Sequence, residues 1–343
     1  MKKQQYSVDK IIRESSTILS FFLKPKDGEP LADFKPGQFI TIYVQPEGFE
    51  KPVSRSYTLS DRPGKDYYRI TVKKEPRGVV SNFLHEQIVP GDWIEGTQPA
   101  GNFYLDEGTS APVVLLSGGV GITPMMSMLE QLVFIHSKRK VYFLHSSTNQ
   151  EVQPMAERLA EIKGRHAHAL VNINHSRPTP GERQVIDYDV EGVITKDQLK
   201  ATIANPATCI YYLCGPGGFM QTMYNYLIEL GVPTAAIHYE FFGNAIQLEA
   251  PKLSQPLEPA YEVKFARTNK TTRWTGEYSN LLELAESMEI PVLSSCRMGT
   301  CLSCESRLIT GEVKYDPEPF METEQGQVLI CCSQPTSDLV VDL

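Results

Sequence analysis

The spacing of apolar positions changes character three times along this chain. Up to about residue 107 they fall in short runs such as Ile18 to Leu23, Gln38 to Val44 and Tyr68 to Lys73, broken by Pro, Gly and Asp. Short apolar runs bounded by turn residues predict strands. Pro36-Gly37 and Pro90-Gly91-Asp92 supply tight entries to two of them, and the pattern is that of a small antiparallel barrel. From about 110 to 243 the runs become continuous, Val113 to Leu116, Val141 to Leu144 and Ile210 to Leu213, and alternate with helical stretches. Strands buried on both faces read this way, so an α/β unit with a parallel sheet is predicted. Asn244 to Ala260 repeats Pro without a steady apolar period and reads as an extended tether. Tyr261 to Leu343 carries a strand pair, a helix around Asn280 to Met288 and a cysteine loop. The predicted domains are 1–107, 108–243 and 261–343, joined across a linker at 244–260.

Composition narrows the picture. A chain of 343 residues with 41% hydrophobic and 22% charged residues is ordinary globular material, long enough for several cores. A formal charge of -8 and a pI near 5.5 speak against nucleic acid or an anionic membrane as partner, since either needs a clustered positive field. Met1-Lys2-Lys3 resembles the start of a signal peptide, but the apolar run after it is short and stops at Lys24-Pro25, as a strand would. No stretch has the apolar length to span a bilayer, so no membrane insertion and a cytoplasmic location are expected.

Five of the seven cysteines crowd into the C-terminal segment. Cys296, Cys301 and Cys304 form C-x4-C-x2-C, with Cys331 and Cys332 well downstream. That is the spacing with which one loop wraps a 2Fe-2S cluster and a distant strand closes the cage, Gly299 letting the backbone approach. The alternatives are a zinc knot or a reduced cysteine cluster. Zinc sites usually pair two short Cys-x-x-Cys knuckles and only one exists here, which places the iron-sulfur reading first. With LITGEV after the loop and VLICCSQP near the end, this segment resembles a plant-type ferredoxin domain, an α+β β-grasp fold. The resemblance implies a fourth ligand four residues before a proline, here Pro335, which selects Cys331 and leaves Cys332 as a neighbouring thiol. Cys209, in a predicted strand, reads as inert packing.

Two further motifs precede it. Arg55-Ser56-Tyr57-Thr58 lies where a barrel strand is expected, and Gly78-Val79-Val80-Ser81 lies where a helix begins, a place where backbone N–H groups bind phosphate or a serine simply caps the helix. Ser117-Gly118-Gly119-Val120-Gly121-Ile122-Thr123-Pro124 follows an apolar strand and opens a helix that Thr123 can cap and whose first turn suits Pro124. Cys214-Gly215-Pro216-Gly217-Gly218 ends the third predicted strand of this unit. Together these resemble the ferredoxin-NADP reductase superfamily, with a close likeness to the reductase part of flavohemoglobins. The resemblance implies an antiparallel β-barrel flavin domain and a Rossmann-like α/β nicotinamide domain. It places Arg55, Ser56, Tyr57, Thr58 and Gly78 to Ser81 on FAD, and Gly118, Gly119, Gly121, Thr123, Pro124, Cys214, Gly215 and Pro216 on the nicotinamide nucleotide.

It further implies that Thr58, Cys214 and Glu240 surround the transfer site and that Phe241 shields the flavin. For the last two, an amphipathic terminal strand is nearly as good an account. Ser146-Ser147-Thr148-Asn149, after the second strand of the α/β unit, lacks a cation for a 2′-phosphate, so NADH is favoured over NADPH, with Arg177 after the next strand as the residue that would reverse this. The expected activity is electron transfer from NADH through FAD and the cluster to a redox protein, first the terminal component of a multicomponent oxygenase or hydroxylase. Rival expectations are a reductase of a hybrid-cluster or stress-related redox protein and a non-catalytic electron-transfer subunit.

Overall fold

The computed structural model describes residues 3–343 apart from 27–29, 50, 77, 164–165, 243–247, 249–260, 277, 279, 293–303, 317 and 320–322. The chain divides into two compact units, Met1–Ala245 and Ile246–Leu343.

The first unit opens with six antiparallel strands, β1 (Lys3–Arg13), β2 (Ile18–Pro25), β3 (Phe39–Val44), β4 (Val53–Thr58), β5 (Tyr68–Lys73) and β6 (Trp93–Thr97), with helix α1 (Val79–Gln87) between the last two. Their order is β4-β3-β6-β1-β2-β5, and a bridge between Leu59 and Ile70 draws the two ends together into a nearly closed barrel. Alternation sets which residues face inward: in β3, Ile40, Ile42 and Val44 are buried while the residues between them are not. These join Tyr6, Phe21, Tyr68 and Leu84 in one core. Gly37 holds φ at +108°, which explains why Pro36 is followed by glycine at the entry to β3.

A parallel sheet follows: β7 (Val113–Gly118), α2 (Ile122–Phe134), β8 (Val141–Ser147), α3 (Ala156–Ile162), β9 (Ala169–His175), β10 (Val190–Glu191), α4 (Lys196–Thr202), β11 (Ile210–Cys214), α5 (Gly217–Glu229) and β12 (Ile237–Glu240). The strand order is β10-β9-β8-β7-β11-β12. The chain thus winds outward from β7 through β10 and returns to the other side of β7 with β11. At such a reversal the connections leave in opposite directions, opening a crevice at the carboxyl ends of β7 and β11. Every residue of β7 is buried, as its unbroken apolar run requires. Cys209 lies just before β11 rather than within it, at the end of a short 3-10 turn, buried and with its thiol on the Asn205 carbonyl.

The second unit contains β13 (Tyr261–Phe265), β14 (Lys270–Trp274), α6 (Leu281–Ser287), β15 (Glu305–Thr310), β16 (Val313–Tyr315), β17 (Gln327–Leu329), β18 (Ser333–Pro335) and β19 (Leu339–Val341). Five strands form a sheet ordered β14-β13-β19-β15-β17, and β16 pairs with β18. Asn280 caps α6 by accepting the Glu283 N–H at 3.0 Å. Its apolar face, Leu281, Leu282, Leu284 and Ala285, closes a core that also holds Cys304, Cys331 and Cys332. Among the described residues no helix is long and apolar enough to cross a membrane.

Candidate functional site

Strand β4 ends the barrel sheet and has its main pairing with β3. Along it Arg55 and Ser56 are exposed, Tyr57 is half-buried and Thr58 is buried. Ser56 shares a 3.0 Å hydroxyl contact with Thr41, and one Arg55 nitrogen donates to the Ser54 carbonyl at 2.8 Å. Burial pushes the Tyr57 phenol well up, against the pull of Arg55 and with help from Glu75, so its ring is neutral at any working pH.

Helix α1 packs against β3 and β4, bringing the turn at Gly78 beside this strand. Its N-cap is Gly78, not Ser81. Ser81 lies inside the first turn, where its hydroxyl donates to the Gly78 carbonyl and accepts from the Glu75 N–H, both at 3.2 Å. A Cβ on Gly78 would run into that hydroxyl and come within 2.9 Å of the Glu75 side chain, so the bend requires glycine. Val80 is buried beneath the turn and Val79 is partly exposed. Among the described residues no side chain caps α1, and no acid occupies its first turn, so an anion placed there would meet unpaired N–H groups. A guanidinium and an uncapped helix start are what a flavin nucleotide's phosphates need.

On the α/β side two loops meet at the reversal point. Gly119 takes φ +54° and, with Val120 and Gly121, forms the turn between β7 and α2. A Cβ on Gly121 would lie 2.5 Å from the Cys214 carbonyl carbon and 2.7 Å from the Gly215 nitrogen. One on Gly215 would lie 2.7 Å from the Phe219 ring and 3.1 Å from the Gly118 nitrogen, and one on Gly118 3.2 Å from Pro216. The loops therefore cross with their backbones in contact. Thr123 does not cap α2: the N-cap is Gly121, and the Thr123 hydroxyl donates to the Val120 carbonyl at 3.1 Å, while Pro124 is buried in the first turn. This helix start is again uncapped and free of acids. The turn lies against β5 of the barrel, so the flavin and nicotinamide motifs occupy one region of the first unit.

Cys214 is fully buried, and burial with the nearby Glu240 charge pushes its thiol up, leaving no reactive thiolate. Glu240 pairs with Cys214 in the β11–β12 register, and burial raises its carboxyl to about 7. Phe241 is half-buried and meets Tyr239 edge-on at 5.8 Å. The Arg177 N–H donates to the Thr148 carbonyl at 2.8 Å, so this exposed cation starts directly beside the Ser146 to Asn149 stretch.

In the second unit Cys304 and Cys331 are both buried, and Cys332 directs its thiol to the Leu329 carbonyl at 3.5 Å. Cys296 and Cys301 lie outside the described residues. The Ser333 hydroxyl, close to Cys331 in sequence, is buried with no hydrogen-bond partner among the described residues. A buried polar atom in that position suits a cluster whose sulfurs accept hydrogen bonds.

Three family descriptions match the chain in order: an oxidoreductase FAD-binding domain over residues 5–104, an oxidoreductase NAD-binding domain over 115–225 and a 2Fe-2S iron-sulfur cluster binding domain over 266–336. The FAD/NAD-binding domain of a nitric oxide dioxygenase from Vibrio cholerae superposes with a TM-score of 0.64 at 33% identity, covering 70% of this chain and 99% of that one. The chain is a ferredoxin-NADP reductase superfamily flavoprotein with a C-terminal plant-type 2Fe-2S domain. A Bacillus cereus flavohemoprotein is 42% identical over 251 residues, 72% of this chain, and the chain spans 62% of that relative's length. Phthalate dioxygenase reductase shares the fold along 99% of this chain and 98% of its own, with a TM-score of 0.57 at 24% identity. The matched domains of this superfamily member are of oxidoreductase type and take FAD, a nicotinamide nucleotide and a 2Fe-2S cluster.

Proposed function

We propose that this reductase draws hydride from NADH into FAD, releases the electrons singly through its 2Fe-2S cluster, and delivers them to the terminal component of a multicomponent oxygenase or hydroxylase. The observation that carries this is the crossing of the Gly118–Gly121 and Cys214–Pro216 loops beside the barrel, on the same chain as the cluster domain. Flavin chemistry supplies the conversion of a two-electron donor into single electrons. The protein's own part is placement. Arg55 and the starts of α1 and α2 hold phosphates, Tyr57 packs as a neutral ring, Thr58 offers a hydroxyl, and Cys214, Glu240 and Phe241 line the transfer site. Cys296, Cys301, Cys304 and Cys331 hold the iron. The domain limits 1–107, 108–243 and 261–343, with a linker at 244–260, belong to the same reading, as does a cytoplasmic location.

NADH is preferred because Ser146 to Asn149 offers no cation, although Arg177 starts beside that stretch. Steady-state kinetics with both nucleotides test the preference, and a clear advantage for NADPH refutes it. A second reading is a reductase serving a hybrid-cluster or other stress-related redox protein. Pre-reduced chain mixed with candidate acceptors of each class, followed by cluster reoxidation, separates the two. Failure of the isolated chain to oxidise NADH would leave only a non-catalytic subunit.

A further inference from the structure

We infer that the turn from Asp61 to Lys65 sets the spacing between the flavin strand and the nicotinamide loop, with Ser127 as the positioning residue. This rests on the proposed reading, in which the two reacting rings are held by different domains. Their separation then depends on how those domains touch, and β4 and α2 share such a junction. Strand β4 runs through Leu59 and Ser60 straight into Asp61. The Ser127 hydroxyl, on the second turn of α2, donates to the Asp61 carbonyl at 2.8 Å, with Ser127 fully buried and Asp61 only 6% exposed.

The receiving turn is itself fixed. One Asp61 carboxylate oxygen accepts from Lys65 at 2.8 Å and from the Tyr67 hydroxyl at 3.0 Å, and the other accepts the Arg62 N–H at 2.8 Å. The Arg62 guanidinium lies 3.6 Å over the Phe134 ring at the far end of α2, and the same side chain donates to the Pro63 carbonyl at 2.9 Å. Ser127 and Phe134 are two helical turns apart and so share a face. Met128, next to Ser127, lies so close to the barrel turn at Gly37 that a Cβ there would come within 2.8 Å of its terminal methyl. Helix α2 is thus gripped along its length, and its first turn carries Thr123 and Pro124. None of these gripping residues belongs to a nucleotide motif, and none needs to touch either nucleotide. Removing the Ser127 hydroxyl takes a donor from a buried carbonyl, which the turn recovers only by shifting.

The test uses the full chain carrying its cofactors, as wild type, Ser127→Ala, Ser127→Thr, Phe134→Ala and the Ser127→Ala/Phe134→Ala double variant. Anaerobic stopped-flow mixing with NADH gives the flavin-reduction rate and the long-wavelength charge-transfer absorbance, and amide hydrogen exchange is read over 61–65. Ser127→Ala should slow reduction about threefold to tenfold at saturating NADH. It should also weaken the charge-transfer band, speed exchange in the turn and leave half-saturation within about twofold. Ser127→Thr keeps the hydroxyl and should behave as wild type, and the double variant should depart from additivity because both residues act on one turn. An unchanged rate and band in Ser127→Ala, or a threonine variant as impaired as alanine, overturns the inference. If wild type itself fails to reduce flavin with NADH, the functional reading fails, and the exchange data alone then decide whether Ser127 fixes the turn.

Discussion

Gly121→Ala tests the loop crossing most directly. At Gly121 the backbone has φ -62°, which alanine adopts freely, so conformational strain plays no part. What the methyl meets is backbone, 2.5 Å from the Cys214 carbonyl carbon and 2.7 Å from the Gly215 nitrogen, where ordinary contact begins at 3.4 Å. The loops must therefore part by roughly 1 Å, and overpacking of this kind costs about 1–3 kcal/mol. A displacement of that size at reacting groups costs on the order of 10²-fold in rate. The expected outcome is a fall of about 30-fold to 100-fold in kcat/KM for NADH with ferricyanide as acceptor, together with a lower thermal midpoint. Two comparisons isolate the cause. Gly119 has φ +54° but open space, so Gly119→Ala should lose about 1 kcal/mol to backbone strain without separating the loops. Gly181 has neither a positive φ nor a neighbour within 4 Å, and Gly181→Ala should match wild type. A Gly121→Ala variant within twofold of wild type in kcat/KM would refute the crossing as the reason for glycine there.

Glu240→Gln probes a half-buried carboxyl raised to about 7 from 4.5. The unfolded chain gives up that proton at lower pH than the folded one, so Glu240 costs stability increasingly as pH rises from 4.5 to 7, and the cost stays in full above it. The glutamine variant should therefore gain thermal midpoint at pH 8 and lose the gain towards pH 4.5, and a gain constant across that range would contradict the burial argument. Cys301→Ser should abolish the cluster's visible absorbance and its iron while FAD stays bound, whereas Cys209→Ser, at a buried thiol bonded to the Asn205 carbonyl, should do neither. Iron retained in the first variant would mean that the ligand set is different. A chain ending soon after Gly243 leaves nearly all of the compact unit Met1–Ala245 and should fold, bind FAD and reduce ferricyanide, yet lose most activity towards a one-electron protein acceptor. Loss of ferricyanide reduction with FAD retained would show that the cluster is needed for the first step.

Local signals are legible where the chemistry is local. The tyrosine-to-lysine run at 68–73 is β5 to the residue, and Asn280 caps α6 one residue before the helix begins. Capping signals mislead at both cofactor helices for one reason. Ser81 and Thr123 look like caps in the sequence, but glycines occupy the N-cap positions, and both hydroxyls bond back to carbonyls within the turn. The apolar neighbours of Cys209 suggest a strand there. The chain is only leaving a 3-10 turn at that point, and hydropathy does not distinguish this from a strand.

The sequence alone establishes the kinds of domain and their order, FAD-binding, NAD-binding and 2Fe-2S, through an Arg-x-Tyr-Thr strand, a glycine loop after a buried strand, and a cysteine spacing suited to iron. These are set by residue type over a few neighbouring positions, where backbone freedom, charge and thiolate count act directly. The tertiary structure alone decided that Gly121 meets Cys214, that Ser127 reaches Asp61, and that Arg177 starts beside Thr148. Each of these joins positions far apart in the chain, brought together by strand order and by the docking of α2 on the barrel. Such meetings arise from the packing of whole elements, and no local pattern of residues encodes them.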